Sequence, residues 1–172
     1  MSKLHVITGA PGAGKSTLLR HLRDSSFATA DFDELPDADG SLMGIDITSP
    51  TASAVWPAYN RLWVKVAGMM LRGGGPVLLL CPLTPEEWAS AAVGVVDAPR
   101  TDWARLDCGD AERRTRLAAR GWDSDEVEEA VKDAEEIRGL VEREFATGGR
   151  SPAEVAAAVA GWVDGGSGQR VG

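Results

Sequence analysis

The sequence predicts an α/β domain built on a parallel β-sheet, and three observations carry that prediction. Apolar runs at 4–7 and 77–81 read as strands buried on both faces, which parallel sheets require. They alternate with amphipathic stretches whose apolar residues recur at helical spacing. The first run passes directly into a glycine-rich turn, Gly9-Ala10-Pro11-Gly12-Ala13-Gly14, then into Lys15, Ser16, Thr17 and a helical pattern at Leu18, Leu19 and Leu22.

Taken in order, the first strand ends at Thr8 and the first helix covers about 15–23. His5 is expected in the core as a hydrogen-bonded imidazole, and His21 at the surface. Phe27 to Phe32 forms a second strand that ends in the acids Asp31 and Asp33. A polar turn comes next at 37–41, then Thr48-Ser49-Pro50, where Ser49 can cap a helix with Pro50 at its first position. That helix should run to about Leu71, with Val55, Tyr59, Leu62, Val66 and Met69 on its buried face. Val77 to Cys81 is the third strand. Thr84, Pro85 and Glu87 form a capping-box start for a short helix. A strand at 103–108 precedes a basic helix capped by Asp110. A helix from Ser124 buries Val127, Val131, Ala134 and Ile137; a short strand lies near Phe145; and Ser151-Pro152 opens a last helix with Val155, Val159 and Trp162 inward.

Composition bounds the possibilities. A chain of 172 residues that is 44% hydrophobic supports one domain, 1–164, with a tail at 165–172 expected to be flexible. A net charge of −8 opposes an extended nucleic-acid surface, because the protein's own field repels a polyphosphate backbone. Cys81 and Cys108 each end an apolar run and read as buried free thiols in a reducing cytoplasm. No stretch approaches the ~20 apolar residues that cross a bilayer.

The glycine-rich turn satisfies G-x-x-x-x-G-K-S/T at Gly9, Gly14, Lys15 and Ser16, in the strand-turn-helix setting the motif requires. Glycines let backbone N–H groups turn inward around phosphate oxygens, and the helix after them adds the positive end of its dipole. Gly9 to Thr17 is therefore the nucleotide-phosphate site. Lys15 would reach the β- and γ-phosphates and Ser16 would offer its hydroxyl to Mg²⁺.

These segments resemble the P-loop kinases that phosphorylate small molecules: the relatives of adenylate, shikimate and gluconate kinases and the chloramphenicol phosphotransferase type. The resemblance implies a five-stranded parallel sheet of order 2-3-1-4-5, helices on both faces, and a lid after the fourth strand. It also implies ATP as donor, Mg²⁺, a small-molecule acceptor and a monomer or homodimer. Asp31-Phe32-Asp33 is similar to the Asp-x-Asp of shikimate kinases, which gives Asp31 to the metal shell and Asp33 to the acceptor hydroxyl. The alternative is that the same acids cap the loop after the strand. Leu106-Asp107-Cys108-Gly109-Asp110 with Arg116 and Arg120 resembles the adenylate-kinase segment in which one arginine stacks on adenine and another enters the lid. Spacing i, i+4 puts both on one helix face, and Arg113 could substitute; a solvated basic helix paired with the acids of 123–136 is the plainer reading. Ala146 to Arg150 is similar to the loop that wraps adenine, and equally suits a turn that opens a helix. The resemblance puts the acceptor between the second strand and the long helix. Asn60 and Arg61 are candidates there, Arg61 for a carboxylate or phosphate, whereas the spacing makes Tyr59 core.

One departure stands out: Leu80-Cys81-Pro82-Leu83-Thr84 carries no acid where many P-loop NTPases hold Mg²⁺ through water. That keeps open a nucleotide-binding switch that has no acceptor. A polynucleotide 5′-hydroxyl kinase, which shares the fold, is disfavoured by the acidity.

Overall fold

The structure, a computed structural model, describes residues 3–47 and 49–165. Thr48, at the expected start of the long helix, and residues 166–172 of the expected tail lie outside the described residues. The strands are β1 (Leu4–Thr8), β2 (Ala28–Asp31), β3 (Ser41–Leu42), β4 (Ile45–Asp46), β5 (Val77–Leu80), β6 (Thr101–Asp107) and β7 (Glu144–Ala146). The helices are α1 (Lys15–His21), α2 (Trp56–Leu71), α3 (Pro85–Ala92), α4 (Asp110–Ala119), α5 (Ser124–Leu140) and α6 (Pro152–Gly165).

The main sheet is parallel throughout, in the order β2-β5-β1-β6-β7. Numbered among themselves, its strands run 2-3-1-4-5, as expected. Central β1 pairs Val6 with Leu79 on one side and with Trp103 on the other. Alternate residues of the central strands enter two cores, because successive side chains point to opposite faces. Val6 and Leu79 pack with Phe32, Tyr59, Trp63 and Trp88 under α2 and α3. Ile7, Leu78 and Leu80 pack with Leu18, Leu22, Val155 and Val159 under α1 and α6. After β6, where a lid was expected, the chain forms a helical hairpin, α4 and α5, joined at 120–123. No helix among the described residues is long and apolar enough to cross a membrane.

The expected polar turn at 37–41 leads into an antiparallel hairpin, β3 with β4. The long helix begins later than Pro50: residues 50–54 form a 3₁₀ turn and α2 starts at Trp56. Pro57 accounts for the start, since a residue without an N–H fits only the first helical turn, where that donor has no partner anyway. Asp110 is not the cap of α4. Gly109 holds that position at φ 76, and Asp110 becomes the first helical residue. His5 is buried as expected, but neither ring nitrogen has a hydrogen-bond partner among the described residues. Packing holds it instead, edge-on to Trp162 at 4.7 Å, and burial depresses its pKa.

Candidate functional site

The loop between β1 and α1 is tied back by its carbonyls. Gly9 O accepts from Lys15 Nζ, Ala10 O from Ala13 N and Arg113, Pro11 O from Arg113, Gly12 O from Arg116 at 3.0 Å, and Ala13 O from Thr147 Oγ1 at 3.0 Å. The N–H groups of Gly12, Gly14, Lys15, Ser16 and Thr17 take no acceptor among the described residues. A backbone with its carbonyls engaged outward and its N–H groups free is an anion-binding concavity. Gly12 (φ 81) and Gly14 (φ 105) supply the left-handed turns it needs. A Cβ on Gly9 would lie 2.9 Å from Leu106 O, so the loop sits directly against β6. Burial lowers the Lys15 pKa, opposed by the charges of Asp31 and Asp33. Ser16 is exposed and Thr17 half-buried.

Asp31 and Asp33 stand at the carboxyl end of β2, where an open parallel sheet places ligands. Asp31 is buried and caps a 3₁₀ turn at 32–34: its Oδ1 accepts from Asp33 N at 3.0 Å, while its own N–H donates to Glu34 at 2.8 Å. Burial raises its pKa. Loop capping, the plainer role considered from sequence, is thus present for Asp31. Asp33 is exposed and lines a cavity of about 660 Å³ with Asp37, Asp39 and Trp56.

Across the loop, Arg116, Arg120 and Arg150 come together with Gly14, Thr17 and Thr147 around a cavity of about 320 Å³. Arg116 also donates to Thr147 Oγ1 at 3.2 Å and pairs with Glu112. Asn60 and Arg61 do not join Asp33. They line a separate cavity of about 530 Å³ with Glu86 and Glu87, and Arg61 donates to Val93 O and Gly94 O at the end of α3. Those two bonds anchor its guanidinium beside α3, away from Asp33. Tyr59 is core, its hydroxyl donating to Phe32 O.

Arg113, considered from sequence as a substitute for Arg116 or Arg120, supports the loop from behind together with Asp107 and Arg138. Arg113 is fully buried, pairs with Asp107 at 2.6 Å, and holds the Ala10 and Pro11 carbonyls. Asp107 also receives Arg138 at 2.6 Å, and Arg138 reaches Asp110 at 2.7 Å. Burial alone would raise the Asp107 pKa, but the hydrogen bonds and charge of Arg138 and the charge of Arg113 outweigh it and hold the carboxyl below its ordinary value. The available signal was spacing: Arg113 stands one turn before Leu117, the buried apolar residue of α4.

Ser16 and the two aspartates are hard oxygen donors at the mouth of the loop, a chemistry that suits Mg²⁺. No group of three or more His, Cys, Asp or Glu is arranged around a metal position among the described residues. Cys81, where an acid is common, is fully buried, and burial pushes its thiol up to about 12, so it stays neutral.

Fold and glycine loop together define a P-loop α/β domain. The chain belongs to the AAA_18 family, an AAA domain, whose profile matches residues 6–138. Among curated proteins none matches it in sequence. Its fold is similar to that of shikimate kinase from Acinetobacter baumannii in complex with shikimate (TM-score 0.64, 12% identity, 98% of this chain and 97% of that one). It is also similar to the Deinococcus radiodurans tunicamycin resistance protein (0.64, 16%, 95% and 96%) and a gluconokinase from Sinorhizobium meliloti (0.59, 17%, 99% and 98%). The fold is thus that of P-loop small-molecule kinases.

Proposed function

We propose that the protein is a phosphotransferase that moves the γ-phosphoryl group of Mg-ATP to a hydroxyl of a small molecule, acting in the cytoplasm as a monomer or homodimer. The supporting observation is the arrangement around the loop: free N–H groups at the centre, an arginine-lined cavity on one side, and Asp33 with its own cavity on the other. ATP would supply the γ-phosphoryl group and Mg²⁺ would neutralise charge on its oxygens.

The residues divide the work. N–H groups of Gly12, Gly14, Lys15 and Ser16 hold the phosphate chain, with Lys15 on the β- and γ-phosphates and Ser16 and Asp31 toward the metal. Arg116 and Arg150 border the base, and Arg120 carries charge toward the phosphates as negative charge spreads in the transition state. Asp33 orients the acceptor hydroxyl and takes its proton as the oxygen bonds to the γ-phosphorus and the bond to the β-phosphate oxygen breaks.

The test is transfer of label from γ-labelled ATP to a panel of hydroxyl compounds. Asp33→Asn is expected to lower turnover by ~10²–10⁴-fold with ATP affinity nearly unchanged, the range for losing a general base. Unchanged transfer removes Asp33 from that role. The neutral Cys81 favours a second reading, a nucleotide-binding switch, which would bind ATP and label no acceptor.

A further inference from the structure

We infer that the cavity beside Asp33 takes a cation: a hydroxyl compound carrying a protonated amine or a quaternary ammonium group. The inference rests on the phosphotransferase reading for where the acceptor sits, and adds its charge class.

The site is defined by a cavity of about 660 Å³ at the carboxyl end of β2, with Asp33 in its wall. Asp37 and Asp39, from the turn before β3, add two more carboxylates, and no lysine, arginine or histidine belongs to that wall among the described residues. None of the three acids forms an ion pair among the described residues. Asp39 gives one oxygen to Ser41 N at 3.0 Å. Lys15 acts electrostatically on Asp33 from the P-loop side. Arg61, one turn along α2, is committed to the carbonyls of Val93 and Gly94.

The aromatic member of the wall is Trp56, 38% exposed although large and apolar. Its ring is braced edge-on against Tyr59 at 5.8 Å, and Tyr59 packs edge-on against Phe32 at 4.6 Å. Tyr59 is fixed in turn by its hydroxyl bond to Phe32 O, an atom that also accepts from Trp63 Nε1 at 3.0 Å. The indole is therefore held in place at the cavity. A fixed indole among carboxylates is the chemistry that recognises an ammonium group, through attraction to the ring face and Coulomb attraction to the acids. An acceptor bearing a carboxylate or phosphate would meet three like charges in the wall, with the Lys15 cation outside it on the P-loop side.

Two matched sets of probes test this by calorimetry on the whole protein holding a non-hydrolysable ATP analogue: glucosamine, glucose and gluconate; choline and its neutral tert-butyl isostere. The cationic member of each set is expected to bind about tenfold tighter than the neutral one, with gluconate weakest. Asp37→Asn with Asp39→Asn should erase that preference while ATP binding and Tm stay at wild-type values; Trp56→Ala, which also removes packing against Tyr59 and lowers Tm, should erase it while ATP binding stays at the wild-type value. Equal binding of glucose or gluconate, or no cation binding by protein that binds ATP, overturns the inference. So does a cation preference that survives these variants. Label transfer separates the two readings. Phosphorylation of neutral or anionic probes without cation preference sinks the charge class and leaves the phosphotransferase standing. Cation binding that depends on Asp37, Asp39 and Trp56, with no probe labelled, upholds the charge class and sinks the phosphotransferase.

Discussion

Arg113 is completely buried, and a guanidinium in that position destabilises the fold unless it is paired with an opposite charge and hydrogen-bonded. Its two Nη atoms are bonded to Asp107, Ala10 O and Pro11 O, partners that also orient the phosphate loop, while its Nε has no partner among the described residues. Asp107→Ala would leave this charge paired with carbonyls alone, and should cost roughly 3–5 kcal/mol, the range for breaking a buried ion pair, measured by urea unfolding. Nucleotide affinity should fall with it. The pH dependence comes from the depressed Asp107 pKa. The stability it confers is fully present above the ordinary carboxylate value of about 3.9 and is lost as pH falls through the lower folded value. Asp107→Asn should therefore be less stable at pH 7 and show a flatter decline in stability below about pH 4. A variant as acid-sensitive as wild type would mean that Asp107 titrates alike in both states. Arg113 was hard to read from sequence because arginines on a helix are usually solvated, and nothing local shows that Asp107 and two loop carbonyls wait on the inward face.

Elements set by local chemistry were legible. The Thr84 box closes as read, Glu87 N donating to Thr84 Oγ1 at 3.2 Å and Thr84 N to Glu87 Oε2 at 2.8 Å, and Ser151 does the same with Glu154. Continuous apolar runs gave the strands, and the motif gave the loop's place. The β3–β4 hairpin was not legible, since strands of 2 residues carry no periodicity. The anchoring of Arg61 was not legible for a related reason: its partners Val93 and Gly94, just after α3, are distant in sequence. The junction of β1 with β6 shows how closely the elements must approach. Gly9→Ala puts a Cβ 2.9 Å from the Leu106 backbone oxygen, so the strands must shift. We expect a loss of about 1–3 kcal/mol in chemical denaturation, the usual range for overpacking. Gly75→Ala, where nothing lies within 4 Å, is the control expected to stay close to wild type. Equal effects at the two sites would mean that β1 and β6 are not this close.

At the scale of the molecule, the proposed nucleotide site belongs to no single element. Its cavity draws on α1, α4, the loop after β7 and the start of α6, segments that meet only when the sheet is formed. The unfolded chain therefore has no such site, and ATP should bind the folded state alone. Binding then stabilises by mass action, by about 2.7 kcal/mol when free ligand is 100-fold above Kd. For a domain of this size each kcal/mol moves Tm by roughly 2–4 °C, so saturating Mg-ATP should raise Tm by about 5–10 °C. Lys15→Ala removes the ammonium proposed to bind the phosphates and should abolish most of the shift. Arg116→Ala removes both a wall of the cavity and a bond to Gly12 O, and should reduce the shift while lowering the ligand-free Tm. Differential scanning calorimetry of the three proteins, with and without Mg-ATP, separates these effects. A full shift retained by Lys15→Ala would place the nucleotide somewhere other than the glycine loop.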